Sequence, residues 1–400
     1  MSYKTAQLKL NHEEYQTRLE TLLEHVRGEG CSGVVLFDRD YILYYSGFAF
    51  IPTERPIAFI ANSKGRSSLF VPRLEMEHAG MNKVVDEVSY YVEYPDQTHP
   101  MELLVETLKA LEIHTRIAVD EDGYPWTLGY RGPALSIQTG AKTIGIRTFI
   151  EDQIAIKSWA ELVLIKESVR WGNLAHALLQ RYTHVGLTET EVSRMASDEA
   201  TYAMLDAIGP IYRAQNPTWN GASAGYRGQI GRFAAIPHAL AANITFQPGD
   251  VLVTGATAPI WGYVSELERT MIIGTPTKDQ VHFFEHMLSL QELAFENILP
   301  GRFCSDVDHA VRDYYEEHDL QKYWKHHTGH AIGLRYHEGP FLDIGDKTEI
   351  KPGMVFTVEP GLYVPNLGGF RHSDTVVVTE SGIEILTYYP RDLASLTLPA

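Results

Sequence analysis

Three glutamates and a group of histidines in the second half of the chain are of types that can move protons or hold a cation. Glu266 and Glu268 close the segment GATAPIWGYVSELERT, which runs from Gly255 to Thr270. His326, His327, His330 and His337 crowd KHHTGHAIGLRYHEGP (325–340), Glu359 lies in KPGMVFTVEPGLY (351–363), and His238 follows Pro237 upstream. Imidazoles titrate near neutrality and can pass a proton between a water and a leaving nitrogen, a transfer typically worth ~10²–10⁴-fold in rate. Carboxylates brought together repel one another, so at least one pKa must rise unless a positive group joins them. A protonated histidine, Arg269, Arg371 or a cationic part of a substrate such as a guanidinium could be that group, since a carboxylate pair is a good fork for planar N–H donors.

Histidines are more often structural than chemical, so each needs a reason. Gly329 and Gly333 predict a loop around His330, and a glycine beside a histidine lets the backbone turn an imidazole into a cleft. His326 and His327 are expected to be structural or solvent-facing. The pentapeptide GASAG (221–225) matches the nucleophile elbow of serine hydrolases, which needs a strand before it and a helix after it. The preceding NPTWN (216–220) has turn composition, so Ser223 is not expected to be a nucleophile.

The rest of the composition narrows the class. A net charge of −17 disfavours binding to a phosphate backbone, which depends on clustered Lys and Arg. Cys31 and Cys304 are far apart with no metal-thiolate spacing, which suits a reducing compartment. The N-terminal stretch MSYKTAQLKLNHEEY lacks the apolar core of a signal peptide, and no long apolar run follows, so a cytoplasmic location is expected.

The elements that must position these residues fall into two groups. Asn11, with Glu14 three residues on, predicts the start of an amphipathic helix that closes near Gly28 to Gly30. Short apolar runs at 33–37, 41–45, 57–61, 68–71 and 116–119 read as strands, with a helix over about 101–111. Ser158 and Glu161 then predict a capped long helix. Further on, strands are expected at 251–254, 271–273, 354–359, 371–378 and 383–386, and helices at 280–297 and at 304–317, the latter capped by Ser305. The fold class is α+β with two domains: an α/β domain over 1–155 and, over 156–400, a domain that carries the chemistry.

The motifs TGHAIGLRYHEGP (328–340), KPGMVFTVEPGLY (351–363) and GGFRHSDTVVVTESG (368–382), in this order, resemble the pita-bread hydrolases. That family holds methionine aminopeptidase, prolidase, aminopeptidase P and creatinase. The resemblance covers roughly residues 10–390 and implies a creatinase-type N-terminal domain and a C-terminal pita-bread domain with a curved antiparallel sheet. In the family's metallopeptidases two aspartates, a histidine and two glutamates bind two metals. Those positions are Gly255, Glu266, His330, Glu359 and Ser373 here, so a dinuclear centre is not expected.

Creatinase has also lost the aspartates. His238, Glu268, His330, His337 and Glu359 match it, as do Tyr44-Tyr45-Ser46 and Arg55-Pro56 in the first domain. The resemblance therefore implies a metal-independent hydrolase of a C–N bond in a small guanidino, ureido, amide or amidine compound, with no cofactor and no metal. The catalytic residues would be His238, Glu268, Glu359, His330 and His337; Arg55, Tyr263, Glu266 and Arg371 would bind substrate, with Arg55 reaching across a homodimer. Two departures from creatinase count against creatine itself: Thr53 stands where the stacking aromatic would be, and HEGP (337–340) is the peptidase form of that loop. A second expectation is an Xaa-Pro peptidase with one metal on Glu266, His330 and Glu359. A third is a non-catalytic binding protein.

Overall fold

The computed structural model describes residues 8–400; the first seven residues of the N-terminal stretch read above for a signal core lie outside them. The chain divides into two compact units, one built from Lys9–Gln153 with Gln215–Pro217, the other mainly from Ile154–Ala214 and Thr218–Ala400.

The first unit carries a six-stranded sheet in the order Glu87–Tyr91, Ser67–Pro72, Ala58–Asn62, Gly33–Leu36, Arg116–Val119, Lys142–Gly145. Its central strand pairs antiparallel with one neighbour and parallel with the other. All four residues of that strand are buried, which is why it reads as an unbroken apolar run and not as an alternation. Helix His12–Gly28 starts as expected, with the Asn11 side chain accepting from the Glu14 N–H.

Residues 41–45 are not a strand. They lie in helix Arg39–Ser46, whose N-terminus is capped by Asp38, which accepts from the N–H groups of Asp40 and Tyr41. The helix ends at Gly47 in the left-handed region (φ 69), where a Cβ would come within 2.8 Å of the Tyr15 hydroxyl. Tyr41 through Ser46 are all buried, so no polar face marks a helical period, and a short apolar run alone cannot tell helix from strand.

In the second unit, Ser158 and Glu161 form the expected capping box of helix Trp159–Tyr182, and Thr188 with Glu191 does the same for Glu189–Ile208. The main sheet runs Glu338–Leu342, Gly329–Ala331, Val355–Val358, Ser373–Thr379, Leu267–Glu268, Gly255–Thr257, Ser223–Gly225, with Gly382–Ile385 also paired to Ser373–Thr379. Every pairing in it is antiparallel. Helices Lys278–Asn297 and Cys304–Glu317 form where expected, but Ser305 is not the cap of the second. The Phe303 N–H is instead taken by the Asp306 carboxylate, and Ser305 sits in the first turn.

Two further expectations change at the sheet. Ser223 lies in an edge strand, not on a strand-to-helix turn, so GASAG is no nucleophile elbow. His330 lies in strand Gly329–Ala331, not in a loop. The glycine is there because a Cβ at Gly329 would stand 2.1 Å from the Thr357 carbonyl oxygen on the neighbouring strand. The pairing register shifts between His330 and Ala331, an irregularity of the kind that re-aims a side chain.

Candidate active site

Strand alternation gathers the site. Residues two apart on a strand share a face, so Glu266 and Glu268 point one way while Leu267 and Arg269 point the other. Glu268 stands opposite Ser373 across the sheet, and Leu267 opposite Asp374. The Glu266 backbone is fixed on both sides by Thr375, whose hydroxyl accepts from its N–H at 2.9 Å and donates to its carbonyl at 2.8 Å. His330 and Glu359 arrive on adjacent strands, linked by Thr357, whose hydroxyl accepts from the His330 N–H.

The ligand atoms of Glu266, His330 and Glu359 all lie within 4.8 Å of one another, and all three residues are buried. His330 Nδ1 is 2.9 Å from the Ala331 carbonyl oxygen. A carbonyl only accepts, so Nδ1 carries a proton and Nε2 is turned to the carboxylates. Nε2 lies 3.2 Å from Glu359 Oε1 but makes no aligned hydrogen bond; the contact is electrostatic. Buried and with an orphaned imidazole nitrogen, this trio has the donors of a single divalent ion: two carboxylates and one imidazole. It does not fit two. Gly255 offers no side chain, and the Ser373 hydroxyl is committed to Glu266 Oε1 at 2.6 Å.

The titration behaviour follows from the crowding. Burial, with Glu359 and Glu268 nearby, pushes Glu266 up to about 7 from an ordinary 4.5. For His330, burial lowers the pKa, but the Glu359 carboxylate outweighs it and lifts the ring to about 9. Glu359 is itself held well below the usual range, burial being overcome by His330 and Arg371. A proton on the imidazole and a metal ion would compete for the same place.

The surrounding shell is cationic. Glu268 is held between Arg227 Nη2, 2.7 Å from Oε1, and Arg371 Nε, 2.5 Å from Oε2; the second contact is close but not aligned as a hydrogen bond. Arg371 also donates to the Tyr363 hydroxyl at 3.1 Å, and Tyr363 meets His326 Nε2 at 2.6 Å. His337 stacks on His330 with ring centroids 3.9 Å apart. Burial and the His330 charge push His337 down to about 4, so it is neutral at pH 7. His238 lies on an exposed turn and feeds into the same field at His337.

The structure thus brings together Glu266, Glu268, His330, His337, Glu359 and Arg371, with His238 at the rim. Two other residues of the second unit read from the sequence stand apart from this cluster. Tyr263 is 1% exposed and its hydroxyl donates to Glu161 at 2.7 Å, which anchors the capping box of helix Trp159–Tyr182. Arg269 is turned away by strand alternation and pairs with Asp374. Arg55 belongs to the first unit, where Glu93 takes it in a two-point fork and Glu54 in a third contact. Two site residues were not anticipated: Arg227, and Tyr336, whose hydroxyl bonds Glu266. Tyr336 neighbours His337 in sequence, which is a signal; nothing local marks Arg227. His326, expected to be structural or solvent-facing, is a support that reaches Arg371 through Tyr363.

Such a fold and site define a class. Residues 163–380 match metallopeptidase family M24 and residues 18–135 match the creatinase/prolidase N-terminal domain; the chain belongs to that family, the pita-bread hydrolases, and is a hydrolase acting on C–N bonds. It is 27% identical to an Xaa-Pro dipeptidase of Pyrococcus horikoshii over 94% of this chain and 98% of that protein. Among solved structures it resembles dipeptidase PepE of Mycobacterium ulcerans, at 26% identity and TM-score 0.81, covering 98% of this chain and all of the other. An Xaa-Pro dipeptidase from Bacillus anthracis shares the fold at 24% identity and TM-score 0.80, over 96% of this chain and 100% of that one. These likenesses lend no support to the metal-independent, creatinase-like reaction expected from the sequence; they favour the peptidase expectation.

Proposed function

We propose that the protein hydrolyses the peptide bond of a small, dipeptide-sized substrate, Xaa-Pro compounds being the first class to test, with one divalent ion held by Glu266, His330 and Glu359. The observation that carries this reading is the convergence of three buried ligand atoms within 4.8 Å, with His330 Nε2 unpartnered. When bound, such an ion supplies Lewis-acid polarisation of a carbonyl and lowers the pKa of a water.

The chain's own groups do the rest. Glu266 is steadied as a ligand by Ser373 and Tyr336. His337, neutral and stacked on His330, can donate to an oxygen of the substrate, and His238 at the rim can take up or deliver the proton of the leaving nitrogen. Arg371 fixes Glu268 and Glu359, so that neither drifts toward the other. A homodimer in which Arg55 reaches a partner's site belongs to the same proposal and requires Arg55 to leave its Glu93 fork. Among the described residues no helix is long and apolar enough to cross a membrane.

The deciding experiment strips the protein of metal, reloads it with Mn, Zn or Co, and assays Xaa-Pro dipeptides beside guanidino and ureido compounds. Ion-dependent dipeptide cleavage is expected. Turnover of a guanidino compound by stripped protein, with no dipeptide cleaved under any loading, would return the reaction to the metal-independent class.

A further inference from the structure

Arg227 is the least explained group at the site. Its backbone sits in the left-handed region at φ 53, followed by Gly228 at φ 75. A side chain is disfavoured there, and such conformations persist where the surroundings enforce them, often beside functional sites. The enforcement is visible: a Cβ at Gly228 would lie 2.2 Å from the Leu240 carbonyl oxygen, and the Gly228 N–H is taken by the buried Glu189 carboxylate at 2.6 Å. The turn aims the guanidinium at Glu268, with Nη2 at 2.7 Å from Oε1 and 3.2 Å from Gln229 Oε1. Nε and Nη1 have no hydrogen-bond partner among the described residues, and the side chain is 47% exposed.

The same carboxylate oxygen is the single atom that a Cβ at Gly255 would meet, at 3.6 Å. The guanidinium therefore bonds the same carboxylate oxygen that faces Gly255, the position where the family's metallopeptidases carry an acidic ligand. Charge favours the substitution. With an ion on His330 Nε2, which keeps that ring neutral and Glu266 ionised, the three carboxylates of Glu266, Glu268 and Glu359 face the guanidinium groups of Arg371 and Arg227; a second divalent ion would add two positive charges with no further carboxylate to offset them.

We propose that Arg227 is a tethered cation that takes the place of a second metal ion and presents Nε and Nη1 to an oxygen of the substrate. The proposal rests on the one-ion peptidase reading for its substrate, but not for its ion count.

The first test uses no substrate. Metal-stripped protein is titrated with Mn²⁺ and the bound ion counted by calorimetry and elemental analysis, with circular dichroism to verify folding. Wild type and R227A are each expected to take one ion per chain. G255D/S373E, which supplies two more carboxylates, is still expected to take one while Arg227 remains, and G255D/S373E/R227A to take two. A second ion in G255D/S373E, or only one in the triple variant, would overturn the proposal.

The second test is kinetic. With a cleaved dipeptide, R227A should lose on the order of 100-fold in kcat/KM, the usual effect of removing one preorganised donor. R227K should keep much of the activity, and millimolar guanidinium should restore part of it to R227A. Equal losses in R227A and R227K without rescue would reduce Arg227 to a prop for Glu268. If wild type cleaves no dipeptide, the functional reading fails by itself, and the ion counts still decide the role of Arg227.

Discussion

Two clusters of buried charge sit back to back on the same pair of strands, and they are built on opposite terms. On one face Arg269 spends every donor: it binds the carbonyl oxygens of Glu268, Ser373, Tyr389 and Pro390 and the Asp374 carboxylate. Asp374 is also met by Thr387 and Gln291, and although burial works against its charge, Arg269 holds its pKa below the ordinary range. On the other face Glu266 is raised, His330 Nε2 is orphaned, and Glu268 Oε2 and Arg371 Nε touch without alignment. Leu267 and Asp374 alternate with Glu266, Glu268 and Ser373, so one residue of register separates a closed network from an open one. A buried charge with all its hydrogen bonds made is architecture; one left short is available to a ligand.

The largest expected effect lies on the closed face. Arg269→Ala strands Asp374 in the interior, and breaking a buried pair from one side typically costs about 3–5 kcal/mol. Thermal or urea unfolding should show that loss, and the double variant with Asp374→Ala should recover part of it. An Arg269→Ala protein that melts like wild type would mean that this network carries no fold stability.

Next comes the open face, where the ranking of readouts inverts. His330→Ala removes a buried imidazole whose protonated form the Glu359 carboxylate favours in the ion-free fold, so its unfolding midpoint should fall by less than that of Arg269→Ala, while ion binding and turnover fall by at least ~10²-fold. Calorimetric Mn²⁺ titration and the dipeptide assay measure both. Unaltered ion affinity in this variant would remove His330 from the ligand set.

Acidity sharpens the contrast further. Glu266 is raised from 4.5 to about 7, so the folded chain holds this proton more tightly than the unfolded chain. That contribution is complete below pH 4.5 and is lost as pH rises through 7. His330, raised from 6.5 to about 9, stabilises fully below pH 6.5 and loses its contribution as pH climbs through 9. Both slopes have the same sign between pH 5 and 9, whereas the depressed Glu359 acts only below that window. The ion-free protein should lose on the order of 2–3 kcal/mol from each of these groups across it. Melting temperature measured against pH should fall accordingly, less steeply in Glu266→Gln, and added Mn²⁺ should flatten the curve. A midpoint that rises with pH in the ion-free protein would contradict the charge assignment.

What could be read from the sequence was local. Asn11 with Glu14 and Ser158 with Glu161 are caps, and a cap is written within three or four residues of the bond it makes. Glu266, His330 and Glu359 were legible through the resemblance of their motifs to the pita-bread family. The missed features were non-local. Residues 41–45 are buried throughout and carry no period, so only the Asp38 cap and Gly47 reveal a helix. The hydrogen bond of Tyr263 is of this kind, since its partner Glu161 lies 102 residues away. Arg227 meets Glu268 across 41 residues through a strained turn that no composition rule predicts.

The smallest expected effect concerns Arg55, and it tests a part of the proposal that the other variants leave alone. Its side chain is 26% exposed, and its partners Glu54 and Glu93 are exposed at 38% and 47%. Ion pairs this open are worth about 0–1 kcal/mol, because solvent screens them and the long side chains lose entropy in pairing. Arg55→Ala should therefore leave the melting temperature almost unchanged. If Arg55 also serves a partner's site, the variant must raise KM for a carboxylate-bearing dipeptide while sparing the same compound as its C-terminal amide. Sedimentation at assay concentrations would show whether the dimer persists. A dimeric variant with unchanged KM for both compounds would confine Arg55 to its Glu93 fork and leave the site described here complete within one chain.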